Sequence, residues 1–299
     1  MAIDRRAKWK ERSALVRRLR LLSNRHPQTF TEKVRYKMLR DRRALLTTFA
    51  DKAAVRDYVA ERVGASYLPA AYGITDDPEH LRHLDLPDSY VVKPTHGSGA
   101  GVVVSPSAPA DARLPPAEWS WVYRHVRADA APRDQLVAIA RNWATKLYGR
   151  GPNQEWAYGG VPPRVIIEEM LEGPGGSIPD DFKFFVFHGT CQYIQVDSGR
   201  FNTRTQDFYR PDWSHLPMSG GPPWIDPPRA RPSRLDEMIS LAENLAGGTD
   251  FVRVDLYHLP DRIVFGELTS YPAGGDSPFE PASFDAEFGS HWTVPRRYR

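Results

Sequence analysis

The chain has 299 residues, 41% of them hydrophobic and 26% charged, with one cysteine and a formal net charge of +3. That length admits two or three lobes around a substantial core, and the lone Cys191 excludes an internal disulfide and a cysteine-ligated zinc cluster. No apolar run approaches the roughly 18 to 20 residues of a spanning helix, and charged residues break the N-terminus before a signal-peptide apolar core develops, so a cytoplasmic setting is expected.

Charge is unevenly placed. Residues 1–26 carry nine Lys/Arg against two acids, a segment of +7, and the remainder is −4. Leu15, Leu19 and Leu22 recur at helical spacing among arginines, which predicts a basic amphipathic helix over 1–30. Such a helix either makes a peripheral contact with an anionic inner membrane face or packs, solvated, against the body. Nucleic acid is a poor partner for an acidic body without a recognition module. Residues 31–88 form a mostly helical unit. In it Val34, Met38, Leu45, Leu46, Phe49, Val55 and Val59 predict helix over 31–63, ended by Gly64. A short strand with a turn follows over 68–74.

Residues 89–168 open on Tyr90-Val91-Val92-Lys93-Pro94-Thr95-His96-Gly97-Ser98-Gly99-Ala100-Gly101-Val102-Val103-Val104. An apolar strand carrying Lys93 enters a three-glycine loop, and a second apolar strand leaves it. Glycines let backbone N–H groups approach an anion, and Lys93 adds a point charge for a phosphate oxygen. No Gly-Lys-Ser/Thr follows, so this is not a Walker loop, and no helix follows, so it is not a dinucleotide fingerprint. Alone, the segment reads equally as a plain glycine-rich hairpin. A helix is predicted near 133–147, with Lys146 solvated at its end, and a strand at Val165-Ile166-Ile167.

Residues 169–299 form the second large unit. Lys183–Phe187 and Cys191–Val196 read as a hairpin across His188-Gly189, with Asp181 and Lys183 on one face and Cys191 as a packed side chain. Asp197, Arg200 and Arg204 follow in a turn. The Arg200 guanidinium suits bidentate grip of an anionic acceptor and equally a surface salt bridge. Residues 217–232 hold six prolines and two glycines, a stiff surface loop, and a helix is expected near 235–245. In Val252–Tyr257, period two puts Arg253 and Asp255 on one face and Val252, Val254 and Leu256 toward the core. A turn near Asp261 would set Glu267 opposite Asp255. One arginine and two carboxylates then converge, as a cross-strand salt bridge or as an oxygen site for Mg²⁺ completed by substrate phosphates.

Together these segments resemble the TupA-like ATP-grasp family, named for a teichuronopeptide biosynthesis protein. The resemblance runs from about Phe30 to Pro272. It is carried by Phe30-Thr31-Glu32-Lys33, Ala50–Val59, Val92-Lys93-Pro94 with its glycine loop, Val165–Glu169, Asp181–Phe185, Gln195–Phe201, Phe251–Tyr257 and Phe265–Thr269. It implies an α+β ATP-grasp fold, two α+β lobes clamping ATP, with a helical N-terminal extension. It further implies that Lys52 and Lys93 touch ATP phosphates under a loop of Gly97, Ser98, Gly99 and Gly101. Glu168, Glu169 and Leu171 belong to an adenine hinge, and Asp181 with Lys183 to the ribose or metal side. Asp255 and Glu267 hold Mg²⁺, and Arg253 steadies the transferring phosphoryl group. The wider superfamily's Glu-x-Asn reads Glu267-Leu268-Thr269 here, and a threonine hydroxyl is the poorer magnesium ligand.

The activity implied is an ATP-dependent carboxylate–amine ligase working through an acylphosphate, with Arg253, Lys93 and Arg200 as the catalytic set. The family's link with surface polymers implies a small-molecule or glycan-linked carboxylate, such as a uronic acid, and an amino acid as substrates. Two rivals stand beside this reading: a phosphotransferase using the same nucleotide site, and a non-catalytic nucleotide-binding module of a glycan-synthesis complex.

Overall fold

A computed structural model describes residues 26–119, 121–146, 148, 155–173, 176–201 and 203–298. The basic helix expected over 1–30 falls almost wholly outside the described residues.

Three helices begin the described chain: α1 (Phe30–Arg40), α2 (Ala44–Ala50) and α3 (Ala54–Val63). Thr29 starts α1 with a capping box, its hydroxyl accepting from the Glu32 N–H while the Glu32 carboxylate accepts from the Thr29 N–H. Phe30, Val34 and Met38, four residues apart, bury one stripe of α1 completely. The single helical stretch expected over 31–63 is broken twice, each time at an aspartate. Asp41 turns back to accept from the Arg43 N–H and guanidinium, and Asp51 accepts from the Ala53 N–H. Such local bonds compete with helix propagation. Gly64, at φ +106°, ends α3 as expected.

The first sheet contains β1 (Ala71–Thr75), β2 (Tyr90–Pro94), β3 (Gly101–Val104), β4 (Tyr123–Val126) and β5 (Val165–Glu169), ordered β1-β5-β2-β3-β4. The glycine segment is indeed a hairpin, with Tyr90 opposite Val104. Beyond it β4 pairs in parallel with β3. Helix α4 (Arg133–Thr145) buries Leu136, Ile139, Ala140 and Trp143 in one cluster with Val92, Val102, Val104 and Ile167.

The second sheet has the order β11-β10-β6-β7-β8-β9 and is antiparallel throughout. Its strands are β6 (Asp181–Phe187), β7 (Thr190–Ser198), β8 (Thr205–Tyr209), β9 (His215–Leu216), β10 (Phe251–His258) and β11 (Ile263–Thr269). The two-residue loop His188-Gly189 joins β6 to β7 with both φ positive, at 50° and 82°, the backbone that a tight hairpin demands. One face of this sheet is apolar. Phe184, Val186, Val252, Val254 and Leu256 pack there with Met238, Leu241 and Leu245 of α5 (Leu235–Leu245), together with Val55 and Val59 of α3 and the buried Cys191. The other face changes character along its strands. At one end Phe185, Phe187 and Phe251 meet Phe30, Trp292 and Phe288 of α6 (Ser283–Ser290). At the other end the same face carries charge.

Among the described residues, no helix is long and apolar enough to cross a membrane.

Candidate nucleotide cleft

The charged end of the second sheet is assembled row by row. In one row Glu267 stands opposite Asp255, Asp255 opposite Lys183, and Lys183 opposite Gln195. The next row carries Tyr257, Asp181, Asp197 and Gln206, and on the other side Arg253 lies opposite Thr269. The Glu267–Asp255 register is the one expected from a turn near Asp261. A bulge between Asp255 and Leu256 produces it: nearer the turn Tyr257 lies opposite Val264 and Leu256 opposite Phe265, so an unbroken ladder would set Asp255 opposite Gly266.

The charges interlock. Arg253 donates two bonds of 2.7 Å to the two Asp255 oxygens and a third, of 3.0 Å, to the Thr269 hydroxyl. Thr269 thus orients the arginine. Lys183 donates to Asp255 (2.8 Å) and pairs with Asp181, and Arg200 donates to Asp181 at 2.5 Å. Burial alone would raise the Asp181 pKa, but Lys183 and Arg200 overcome it and hold the carboxyl below its usual range. Burial would likewise lower Lys183, yet Asp181 and Asp255 hold it above the ordinary lysine value. Asp181 keeps one buried oxygen, Oδ1, without a partner. Among the described residues Glu267 takes part in no ion pair.

The first sheet supplies the opposite wall. Lys93, on β2, pairs with Glu168 of β5, and Arg262 pairs with Glu169. Lys52 follows α2, and its ammonium donates to the Gly97 carbonyl at 2.5 Å. Loss of hydration lowers the Lys52 pKa, although the Glu267 charge partly restores it. Gly97 and Gly99 adopt φ of 86° and 76°, which glycine reaches without the steric cost a Cβ brings. Across the mouth, Arg200 also donates to the Tyr123 hydroxyl (3.1 Å), and Tyr123 stacks on Phe201 with ring centres 5.0 Å apart.

Between the two walls lies a cavity of about 610 Å³, within the range that holds a small-molecule cofactor. It brings together Lys52, Lys93, Ser98, Gly99, Gly101, Glu168 and Glu169. Leu171, Asp181, Lys183, Arg200, Arg253, Asp255 and Glu267 complete the residues that the sequence nominates. Gly97 does not line the cavity and contributes only the carbonyl that holds Lys52. Sequence reading did not nominate Tyr123, Phe201, His96 or Glu155. The first two close the mouth, His96 ties the glycine loop to α4, and Glu155 is buried where the Glu267 charge reaches it. Tyr123, Phe201 and His96 have no local signal, since each is placed by a partner far along the chain.

The donor set fits a nucleotide triphosphate with a divalent ion. Seven cations line the cavity, Lys52, Arg56, Lys93, Lys183, Arg200, Arg204 and Arg253, and the opposed carboxylates of Asp255 and Glu267 stand at its edge. No group of three or more His, Cys, Asp or Glu side chains among the described residues suffices to hold a metal. A metal here would draw its remaining ligands from phosphate and water, as Mg²⁺ ordinarily does.

These are the features of an ATP-grasp cleft: two α+β lobes with a glycine hairpin on one and an Arg-x-Asp…Glu strand pair on the other. The chain belongs to the TupA-like ATP-grasp family, whose model matches residues 32–123 and 131–293. Among solved structures it is similar to the ATP-grasp ligase PsnB complexed with a minimal precursor. That match has 12% identity and TM-score 0.40, covering 76% of this chain and 54% of that one. It is also similar to a D-alanine–D-alanine ligase from Bacillus anthracis, at 15% identity and TM-score 0.42, covering 81% of this chain and 64% of that one. A third is an L-amino acid ligase from Bacillus licheniformis, at 13% identity and TM-score 0.39, covering 76% of this chain and 44% of that one. The chain thus spans about half to under two-thirds of the length of these structures. No curated protein matches it.

Proposed function

We propose that the cleft binds ATP with Mg²⁺ and that the protein is an ATP-dependent ligase joining a carboxylate to an amine. The observation that carries this reading is the Asp255–Glu267 pair facing Lys52 and Lys93 across one cavity. Asp255 and Glu267 would hold Mg²⁺, which when bound neutralises phosphate charge. Lys52, Lys93 and Arg253 bind the phosphates, and the glycine loop covers them. Glu168, Glu169 and Leu171 take the adenine, and Asp181 with Lys183 borders the ribose. Phosphoryl transfer asks little covalent work of side chains, so positioning and charge neutralisation carry the step. The substrate carboxylate takes the γ-phosphoryl group and releases ADP. The amine then attacks the acyl carbon, and the C–O bond to phosphate breaks as the amide forms. Arg200, at the mouth, holds the anionic substrate. The two lobes exclude the water that would hydrolyse the acylphosphate.

For substrates we propose an amino acid and a uronic-acid carboxylate of a surface polysaccharide or related metabolite, a choice supported by family membership alone. The units 1–30, 31–88, 89–168 and 169–299 are proposed as N-terminal helix, pre-grasp region, lid and core of a cytoplasmic enzyme. The basic segment is proposed to make a peripheral contact with the inner membrane face. The test is product analysis with ATP, Mg²⁺, uronic acids and amino acids. A ligase releases ADP and phosphate only with both substrates present. A stable phosphorylated product from one acceptor, or no turnover with any pair, would replace this reading with a phosphotransferase or a binding module.

A further inference from the structure

We propose that His96 is a positioning residue that anchors one foot of the glycine loop to the C-terminal end of α4, and through it sets the place of Lys52. This rests on the reading that the cleft takes a nucleotide. His96 is 2% exposed, and its Nε2 lies 3.1 Å from the Trp143 carbonyl and 3.2 Å from that of Lys146. The Trp143 carbonyl also accepts from the Lys146 N–H (2.9 Å), so the imidazole, some fifty residues away in sequence, is a second donor to that carbonyl and also reaches the carbonyl of the capping residue Lys146. Both partners are carbonyls, so Nε2 carries the proton and donates. Nδ1 is then a buried acceptor, and it has no partner.

The residues on either side of His96 are clamped. The Thr95 N–H donates to the Arg164 carbonyl (2.9 Å), and the Thr95 carbonyl accepts from the Lys52 N–H (3.0 Å). The Gly97 carbonyl takes the Lys52 ammonium. A Cβ on Gly97 would stand 2.8 Å from the Tyr148 ring and 3.1 Å from Trp121, whereas one on Gly99 would meet nothing within 4 Å. The loop therefore has a fixed foot and a free tip, and the foot is pinned to α4 by the His96 side chain. The Trp121 ring stands edge-on to His96 with centres 6.0 Å apart.

The lid core of Val92, Val102, Val104 and Trp143 is complete without the imidazole. Losing the anchor should therefore free the loop more than it unfolds the lobe. A hydrogen bond of this kind contributes about 1 to 1.5 kcal/mol, or roughly a tenfold change in an equilibrium.

The experiment compares His96→Phe, which keeps a ring and loses the donor, with His96→Gln, which keeps an ε-nitrogen donor. The full-length protein is used throughout. Two quantities are read: amide hydrogen exchange at the feet of the loop, at Lys52, Thr95 and Gly101, whose N–H groups are bonded, in the free protein, and calorimetric affinity for ADP with Mg²⁺. His96→Phe should speed exchange at these amides about tenfold while the α4 amides keep their protection, and weaken ADP about tenfold. His96→Gln should restore both to within about threefold of wild type. If His96→Phe fails to fold, His96→Asn, whose amide is too short for both carbonyls, takes its place with the same expectation. Unchanged exchange at these amides in the variant lacking the donor, or equal loss in His96→Gln, would overturn the proposal. Wild-type protein that binds no ADP would overturn the nucleotide reading instead, and the exchange measurement would still decide on the anchor.

Discussion

Replacing Glu155 by glutamine should stabilise the protein in alkaline solution. Glu155 is 7% exposed. Burial raises its carboxyl pKa first and the Glu267 charge adds to this, with the Tyr148 hydroxyl opposing, so that it is pushed up from 4.5 to about 7. At about 1.4 kcal/mol per pH unit, that displacement corresponds to about 3 kcal/mol. The folded state binds more protons than the unfolded state between the two values. Stability must therefore fall as pH rises from 4.5 to about 7 and level off above it. Glu155→Gln removes the charge and keeps a side chain that can meet the Tyr148 hydroxyl. The variant should lack this share of the pH slope, and at pH 8 it should exceed wild type by up to about 3 kcal/mol. Urea denaturation of both proteins from pH 5 to 8, in chelator so that no cation screens Glu267, measures the difference. Parallel stability curves, or a variant weaker than wild type at pH 8, would refute the electrostatic reasoning.

Four further variants test other contacts. Glu267→Gln should abolish ADP formation while shifting the melting temperature by only a few degrees. Asp255→Asn should also abolish it but cost roughly 3 to 5 kcal/mol of stability, because Arg253 and Lys183 lose their shared buried anion. Equal melting temperatures for the two variants would contradict the network. Lys93→Met should weaken ATP binding at least tenfold, and an unchanged dissociation constant would remove Lys93 from the phosphate site. Phe30→Ala empties a position ringed by Phe185, Phe187, Phe251, Phe288 and Trp292 and should cost about 3 to 5 kcal/mol. A denaturation midpoint near wild type would show that this aromatic cluster repacks.

The cleft's central sheet was legible because strands repeat every two residues. Arg253 and Asp255 could be assigned to one face from their neighbours alone, and His188-Gly189 announced its own turn, whereas the pairing of Glu267 with Asp255 rested on an assumed turn and is set by a bulge at Asp255-Leu256. The breaks in the expected 31–63 helix were not legible, because the local bonds of Asp41 and Asp51 compete with helix formation without altering the apolar spacing. Parallel pairing of β3 with β4 is a tertiary choice that no local pattern encodes. The same holds for Arg200 reaching Tyr123, 77 residues away, and for His96 meeting the end of α4. Spacing put Arg253 and Asp255 on one face, and the family resemblance nominated the other cleft residues. What holds those residues in place comes from contacts distant in sequence.

Calorimetric titration with a non-hydrolysable ATP analogue, with and without Mg²⁺, tests the central claim most directly when wild type and Glu267→Gln are compared. Wild type should bind the analogue in both conditions and at least tenfold more tightly with Mg²⁺, and Glu267→Gln should lose that gain while keeping the metal-free affinity. No binding by wild type, or an equal Mg²⁺ gain in the variant, would contradict the account.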